Sequence, residues 1–336
     1  MPERRRSKTW SLWTEHRVPS EYEVVTYKLH YDFRRSPAPF ELDPDAPLNR
    51  WYLTHREGSS FQLDDWEGFK DPHRLTYKDY NLRQRDREAY LDKLIDEFER
   101  GDHYQNLSSL WVETLDTLYF PRRYLGHILQ MVAMYVAQMA PSAAITNCAE
   151  FQAMDEIRSV QRSAYLAKAL SMFHGEKLAN SDHTRNIWEN HPHWQPMREV
   201  LEHLLVAYDW GEAFVALNVV VKPMCDAFFN DVVGQLARRN QDQLVYLMQQ
   251  EFAVDSMRQR EWTQALLAYV EDHRPELLSL AHEWAQRWQP QAEKGLLGLS
   301  HIVATAPGGV SVDECLVPAL KACLPIAPLD VDGRHG

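Results

Sequence analysis

From Arg85 onward the chain is written in the rhythm of long amphipathic helices. The stretch "RDREAYLDKLIDEFERGD" places Tyr90, Leu91, Leu94, Ile95 and Phe98 at the i, i+3, i+4 spacing that lines one helix face. The same texture predicts further helices near residues 107–119, 122–140, 143–173, 195–239, 241–271 and 275–290. Pro121 and Pro141 fall where helices start or stop, and "APSAAI" reads as a tight corner between two of them. Val219, Val220 and Val221 form the only strong β-branched run in this body, too brief to outweigh its helical surroundings. Segments this long, with no strand pattern between them, restrict the fold to an all-α one. A hydrophobic content of 45% in 336 residues is enough for a sizeable core.

The first eighty residues have a different character. Pro2, Pro19, Pro37, Pro39, Pro44, Pro47 and Pro72 block long helices, while Trp10, Trp13, Trp51 and Trp66 are more aromatic than a disordered segment carries. An extended arm over residues 1–82 that buries its rings reconciles the two; the surface it covers is the chain's own helical body or a partner subunit, and the arm's length favours the partner. Residues 83–305 then form the helical domain, and 306–336, with the turn-rich "APGGVSVDE", an irregular tail.

A formal net charge of -12 excludes nucleic acid as the main partner, because phosphate binding needs a basic surface. The short basic run "RRRSK" at 4–8 reads as a solubilising end. Residues 124–149 are uncharged, but His127, Gln130, Gln138 and Pro141 interrupt them, which points to a buried core helix and not to a membrane span. Cys148, Cys225, Cys315 and Cys323 show no CxxC spacing and no secretory leader follows Met1, so a cytoplasmic protein with reduced thiols is expected.

Two short frames carry the chemistry. "DEIRSVQR" (155–162) and "DSMRQR" (255–260) both set an Asp three residues before an Arg, and they lie 100 residues apart. In four-helix carboxylate di-metal bundles two helices supply a Glu-x-x-His pair each, and the other two a single Glu. The pair positions here hold Glu156 and Ser159 in the first frame, and Ser256 and Gln259 in the second, so one ligand of four remains. Upstream, where the single carboxylates belong, stand Gly126 and His127 at 30 and 29 residues before Glu156, and Val221 and Lys222 at 35 and 34 residues before Ser256. A metal needs more donors than this, and a Lys or Arg on the same axis repels a cation. No metal is expected to bind. Asp155, Glu156, Arg158, Asp255 and Arg258 are expected to form an ion network in its place, since an unpaired buried carboxylate is costly.

Several stretches together resemble the β subunit of the bacterial multicomponent monooxygenase hydroxylases, most of all the toluene, alkene and isoprene group. They are "KTWS" (8–11), "PSEYEVVTYKLHY" (19–31), "DPHRLTYKDYNLRQ" (71–84), "RRYLGHILQMVAMYVAQMAPSAAITNCA" (122–149) and "DWGEAFVALNVVVKP" (209–223), together with "DEIRS" and "DSMRQ". The resemblance runs from about residue 8 to about 290. It implies a ferritin-like bundle without di-iron ligands, paired with a catalytic α subunit that holds the di-iron centre. It also implies a dimer of αβγ protomers served by a reductase, a Rieske-type ferredoxin and a small effector protein, which oxidises an aromatic hydrocarbon or alkene with O2 and NAD(P)H-derived electrons. The frames are then inherited shapes kept for packing.

In such an assembly the interface hot spots are aromatic or Arg. Trp10, Trp13, Tyr22, Tyr27 and Tyr31 in the arm, and Arg123, Trp210 and Phe214 in the body, are the candidates, with an ordinary place in the chain's own core as the equal alternative for the three body residues. The competing reading is an independent ferritin-like metalloenzyme with ligands drawn from Glu113, His127, Glu156 and Glu212. His191 and His193 in "ENHPHW" lack accompanying Cys or carboxylate ligands and read as loop histidines, and "HGEKLANSDH" (174–183) reads as a loop closed by Gly175. No GxGxxG, phosphate loop or nucleophile elbow occurs.

Overall fold

The computed structural model describes residues 17–26 and 45–326. Short helices α1 (Glu21–Thr26) and α2 (Pro47–Tyr52, continued by a π-helical turn Leu53–Glu57) precede the bundle. Then come α3 (Tyr77–Arg100), α4 (His103–Asn106), α5 (Ser109–Thr114, extended by a π turn Leu115–Tyr119), α6 (Arg122–Met139) and α7 (Ala143–His174). Next are α8 (Ser181–Asn190), α9 (Gln195–Leu205) and α10 (Trp210–Phe214). α10 runs without a break through π-helical Val215–Val221, α11 (Lys222–Asp226), π-helical Ala227–Val233 and α12 (Gly234–Arg239). The chain continues with α13 (Gln243–His273), α14 (Leu277–Thr305) and α15 (Val312–Ala322). No strand occurs among the described residues. This is the all-α, ferritin-like bundle that the resemblance implies.

Local chemistry explains where boundaries differ from the periodicity. α3 starts at Tyr77, before Arg85, because the Thr76 side chain accepts from the Asp79 N–H and fixes an N-cap. The single helix expected over 195–239 is two: Asp209 accepts from the N–H groups of Gly211 and Glu212 at 2.9 and 3.1 Å, starting α10 afresh. Asn180 caps α8 in the same way, so "HGEKLANSDH" ends in a helix start as well as a loop. α14 passes through Pro290 and ends at Thr305, not near 290. Its second half buries Leu296, Leu299 and Val303, and Gly298 lets it run against the His193 carbonyl, where a Cβ would sit at 2.4 Å. Packing outweighs the proline's local cost here.

Both terminal assignments need correction. Within the expected arm, Phe61, Trp66 and Phe69 are buried in the chain's own core, with Trp66 edge-on to Trp210 at 5.1 Å and Phe61 near Trp284 at 5.9 Å. Burying rings of this size contributes about 1.5–3 kcal/mol each, so residues from about Trp51 to Thr76 need no partner to be seated. In the expected irregular tail, Ser311 and Glu314 form a reciprocal capping box that starts α15. Leu324 N–H then donates to the Val219 carbonyl and ties the segment to the body. The apolar run in α6 packs against α7 as one hairpin, and among the described residues no helix is long and apolar enough to cross a membrane.

Candidate functional site: a charged centre inside the bundle

α3, α6, α7, the 210–239 run and α13 converge on a layer of buried charge. From α7 comes Asp155 and from α13 Asp255, each 4% exposed. Their partners are crossed. Arg258 of α13 donates to Asp155 of α7, while Arg158 of α7 donates to Asp255 of α13 at 2.6 Å. Each Arg therefore pairs with the opposite frame's Asp, although its own lies only three residues away. α3 locks the crossing: Gln84 Nε2 donates to both carboxylates, at 2.8 Å to Asp155 and 2.9 Å to Asp255. Tyr80 Oη and Gln259 Nε2 each donate to Asp155 at 2.8 Å. Arg87 reaches Asp255 and Glu251, and Arg158 also binds Glu88.

Beside this lattice lies the surviving ligand position. Glu156 Oε1 accepts from Lys222 Nζ at 2.6 Å, and Lys222 donates to Asp226 at 2.7 and 2.8 Å. On the other side Arg122 donates to Ser159 Oγ at 2.6 Å and to Gln249 Oε1 at 2.9 Å, its guanidinium lying 5.1–5.6 Å from the rings of Tyr119, Phe229 and Phe252. Ser256 Oγ accepts from Asn230 Nδ2 at 3.2 Å. The 100-residue offset of the two frames holds for the cations too: Arg122 stands to Ser159 as Lys222 stands to Gln259. A cavity of about 20 Å³, one water in size, is what remains between them.

The electrostatics follow from burial. Desolvation pushes the Glu156 carboxyl up to about 7, against the pull of the Lys222 ammonium. It also pushes Asp155 up to about 6, helped by the Asp255 charge and opposed by Arg258. Burial works against the Lys222 ammonium, but Asp226 and Glu156 outweigh it and raise its pKa. These residues do not fit a di-iron centre. Glu156 is spent on an ammonium, Ser159, Ser256 and Gln259 supply no anionic or imidazole donor, and two cations point where ligands would stand. Among the described residues no group of three or more His, Cys, Asp or Glu side chains is placed to hold a metal ion.

The structure thus brings Asp155, Glu156, Arg158, Asp255 and Arg258 into one layer and disperses the alternative ligand set. Glu113 and His127 are exposed. Glu212 is engaged by Trp288 Nε1 at 3.0 Å and Arg287 at 2.6 Å. Among the interface candidates, Trp210 and Phe214 are fully enclosed by the chain's own core, which corrects the expectation that they face a partner. Tyr22 is likewise buried, its hydroxyl accepting from the Asp71 N–H at 3.0 Å. Arg123 is half-buried and donates to the Phe120 carbonyl at the start of α6. Trp10, Trp13, Tyr27 and Tyr31 lie outside the described residues. The α3 contribution escapes sequence reasoning that looks only for ligand frames. Its signal is a polar stripe, Tyr80, Gln84, Arg87 and Glu88, at helical spacing on one face.

The family model for methane/phenol/alkene hydroxylases matches residues 51–273. The hydroxylase component subunit beta of the toluene-4-monooxygenase system of Ectopseudomonas mendocina is 39% identical over 288 residues, covering 85% of this chain and 88% of that protein. The hydroxylase component small subunit of propane 2-monooxygenase from Gordonia sp. (strain TY-5) is 26% identical over 290 residues, covering 82% and 77%. A chain in the solved structure of toluene 4-monooxygenase with toluene bound in its resting active site superposes with a TM-score of 0.83 at 37% identity, covering 91% of this chain and all of that one.

Proposed function

Since the chain belongs to the methane/phenol/alkene hydroxylase family, we propose that it is the non-catalytic β subunit of a multicomponent monooxygenase hydroxylase that oxidises an aromatic or alkene hydrocarbon with O2. The observation that carries this reading is the 2.6 Å contact between Glu156 and Lys222. It sits where a metal-binding bundle would hold its cation and replaces that cation with an ammonium belonging to the chain. Oxygen activation then belongs to a di-iron centre in a partner α subunit.

A bundle of this kind has mechanical work to do. The α subunit must hold its ligands within a fraction of an ångström, which requires support beyond the residues that touch the metal. Packing a second helical body on those helices supplies stiffness and excludes water. The crossed pairs between α7 and α13 suit that role, because they fix two long helices against each other with charges that are costly to separate. We place the remaining contacts to α in the N-terminal segment, through Trp10, Trp13, Tyr27 and Tyr31, with Arg123 on the body. The complete system in this reading is a dimer of αβγ protomers, with an effector protein, a Rieske ferredoxin and an NAD(P)H-linked reductase, working in the cytoplasm. The four unpaired cysteines suit that compartment.

Co-purification tests the reading. Tagged chain expressed with its neighbouring subunits should retain a partner that carries two Glu-x-x-His motifs and the iron. Hydrocarbon oxidation by the chain alone would contradict it.

A further inference from the structure

α3 lies along the outside of the bundle. Of its 24 residues only Tyr80, Gln84, Leu91 and Ile95 are buried. Ion pairs from Arg87 to Glu251, and from Glu88 to Arg158 and Arg162, fix it to α7 and α13. Its outer face is therefore presented on a rigid support, which lowers the entropy cost of a contact made there.

That outer face carries a pattern. With about 3.6 residues per turn, Leu82, Arg83, Asp86, Tyr90, Lys93 and Glu97 fall within an arc of roughly 100°, on the side away from the buried residues. All six are exposed, Leu82 and Tyr90 by 42% and 48%. No ion pair holds Arg83 or Lys93 among the described residues, although carboxylates stand three or four residues from each on the same helix, the spacing at which charges pair. Asp86 turns instead to its neighbour Arg85 at 2.7 Å and Glu97 to Arg100 at 3.4 Å, solvated pairs of small worth.

The signs are antisymmetric about Tyr90. Arg83 lies seven residues before it and Glu97 seven after, while Asp86 lies four before and Lys93 three after. Within one helix these opposite charges are too far apart to meet, about 10 Å of rise for Asp86 and Lys93 and about 21 Å for Arg83 and Glu97. A second α3 laid antiparallel across a two-fold axis at Tyr90 sets Arg83 opposite Glu97 and Asp86 opposite Lys93, each of them twice, with the two tyrosines at the middle. A parallel copy in register would set like against like. A uniformly acidic or basic partner would meet its own sign at alternate places along the face.

We propose that the outer face of α3 is where two copies of this chain meet, antiparallel about Tyr90. The inference rests on the subunit reading, because one helix pair is small beside the roughly 1,200–2,000 Å² of a stable interface and needs the other subunits to hold it together. It gives the dimer of protomers a definite surface, one helix away from the crossed frames.

Photo-cross-linking in the native assembly tests it, with p-benzoylphenylalanine in place of Tyr90. Illumination should yield a covalent pair of two copies of this chain. Asp86→Lys should lower that yield several-fold, by setting lysine against Lys93, and adding Lys93→Glu should restore it. Because these two residues cannot reach each other within one helix, the rescue reports a contact between copies. A cross-link to any other subunit, no cross-link, or no rescue by the second change would each overturn the inference. Partners that co-purify without the pair of copies leave the subunit reading standing. If no partner co-purifies, that reading fails first, and absence of the cross-link from the concentrated chain alone then overturns the inference as well.

Discussion

Arg158 on α7 donates to Asp255 on α13 across 2.6 Å, passing over Asp155, the carboxylate of its own frame. Arg258 makes the reverse crossing to Asp155. Two copies of one short pattern, 100 residues apart, therefore neutralise each other. A buried pair of this kind contributes modest net stability when intact but is costly to break, because one charge is then left buried without its partner.

Replacing Arg158 with Met should lower stability by about 3–5 kcal/mol, read as a shifted urea midpoint with unchanged slope. Asp255 would keep Arg87 and Gln84 as donors, but Glu88 would lose one of its two arginines. Adding Asp255→Leu to Arg158→Met should recover part of the loss, a coupling visible in a double-mutant cycle. A change near zero for Arg158→Met would mean a solvated pair.

Glu156 predicts a pH dependence with a definite sign. Its pKa is raised from 4.5 to about 7, chiefly by burial, so the folded chain holds this proton more tightly than the unfolded one. The resulting stability is complete below about pH 4.5 and is lost as pH rises through about 7. Glu156→Gln removes that slope, so the variant should gain on the native chain by on the order of 2 kcal/mol between pH 5 and pH 8. Parallel denaturation curves at both pH values would contradict the assignment.

Gly211 and Phe61 make a similar case for the segment before α3. A Cβ at Gly211 would lie 2.5 Å from that of Phe61. Gly211→Ala should therefore cost about 1–3 kcal/mol as the ring is displaced. Thermal unfolding checks this, and an unaltered melting temperature would mean that the segment is not seated on α10.

Ser311→Ala should cost about 1 kcal/mol by removing the capping box of α15. Limited proteolysis should then cut after residue 305 sooner than in the native chain, with the bundle intact. An unchanged cleavage pattern would show that contacts other than the cap hold this helix.

Much of the fold was legible because helix period is a local property. Tyr90, Leu91, Leu94, Ile95 and Phe98 mark α3 whatever lies beside it, and the apolar run of α6 reads as core directly. What stayed hidden depends on partners distant in sequence. Phe61 and Trp66 look like arm residues until Trp210 and Trp284, well over a hundred residues later, close over them. Continuity through Pro290 depends on α9 and not on the local sequence. At the centre, Asp155, Arg158, Asp255 and Arg258 could be picked out by their repeated spacing, but the crossing could not, because an Asp and Arg three apart on a helix are as well placed to pair with each other. Lys222 was visible only as a missing carboxylate, and Gln84, which bridges both Asp side chains, gives no sign of that in its own neighbourhood.

The most direct test of the central claim is metal analysis of the purified full-length chain from iron-replete cells, beside its Lys222→Ala variant. The account predicts no stoichiometric iron, zinc or manganese in the native chain, because Lys222 and Arg122 occupy the space and charge a cation would need. A stoichiometric metal in the native chain that is lost in Glu156→Ala would contradict it.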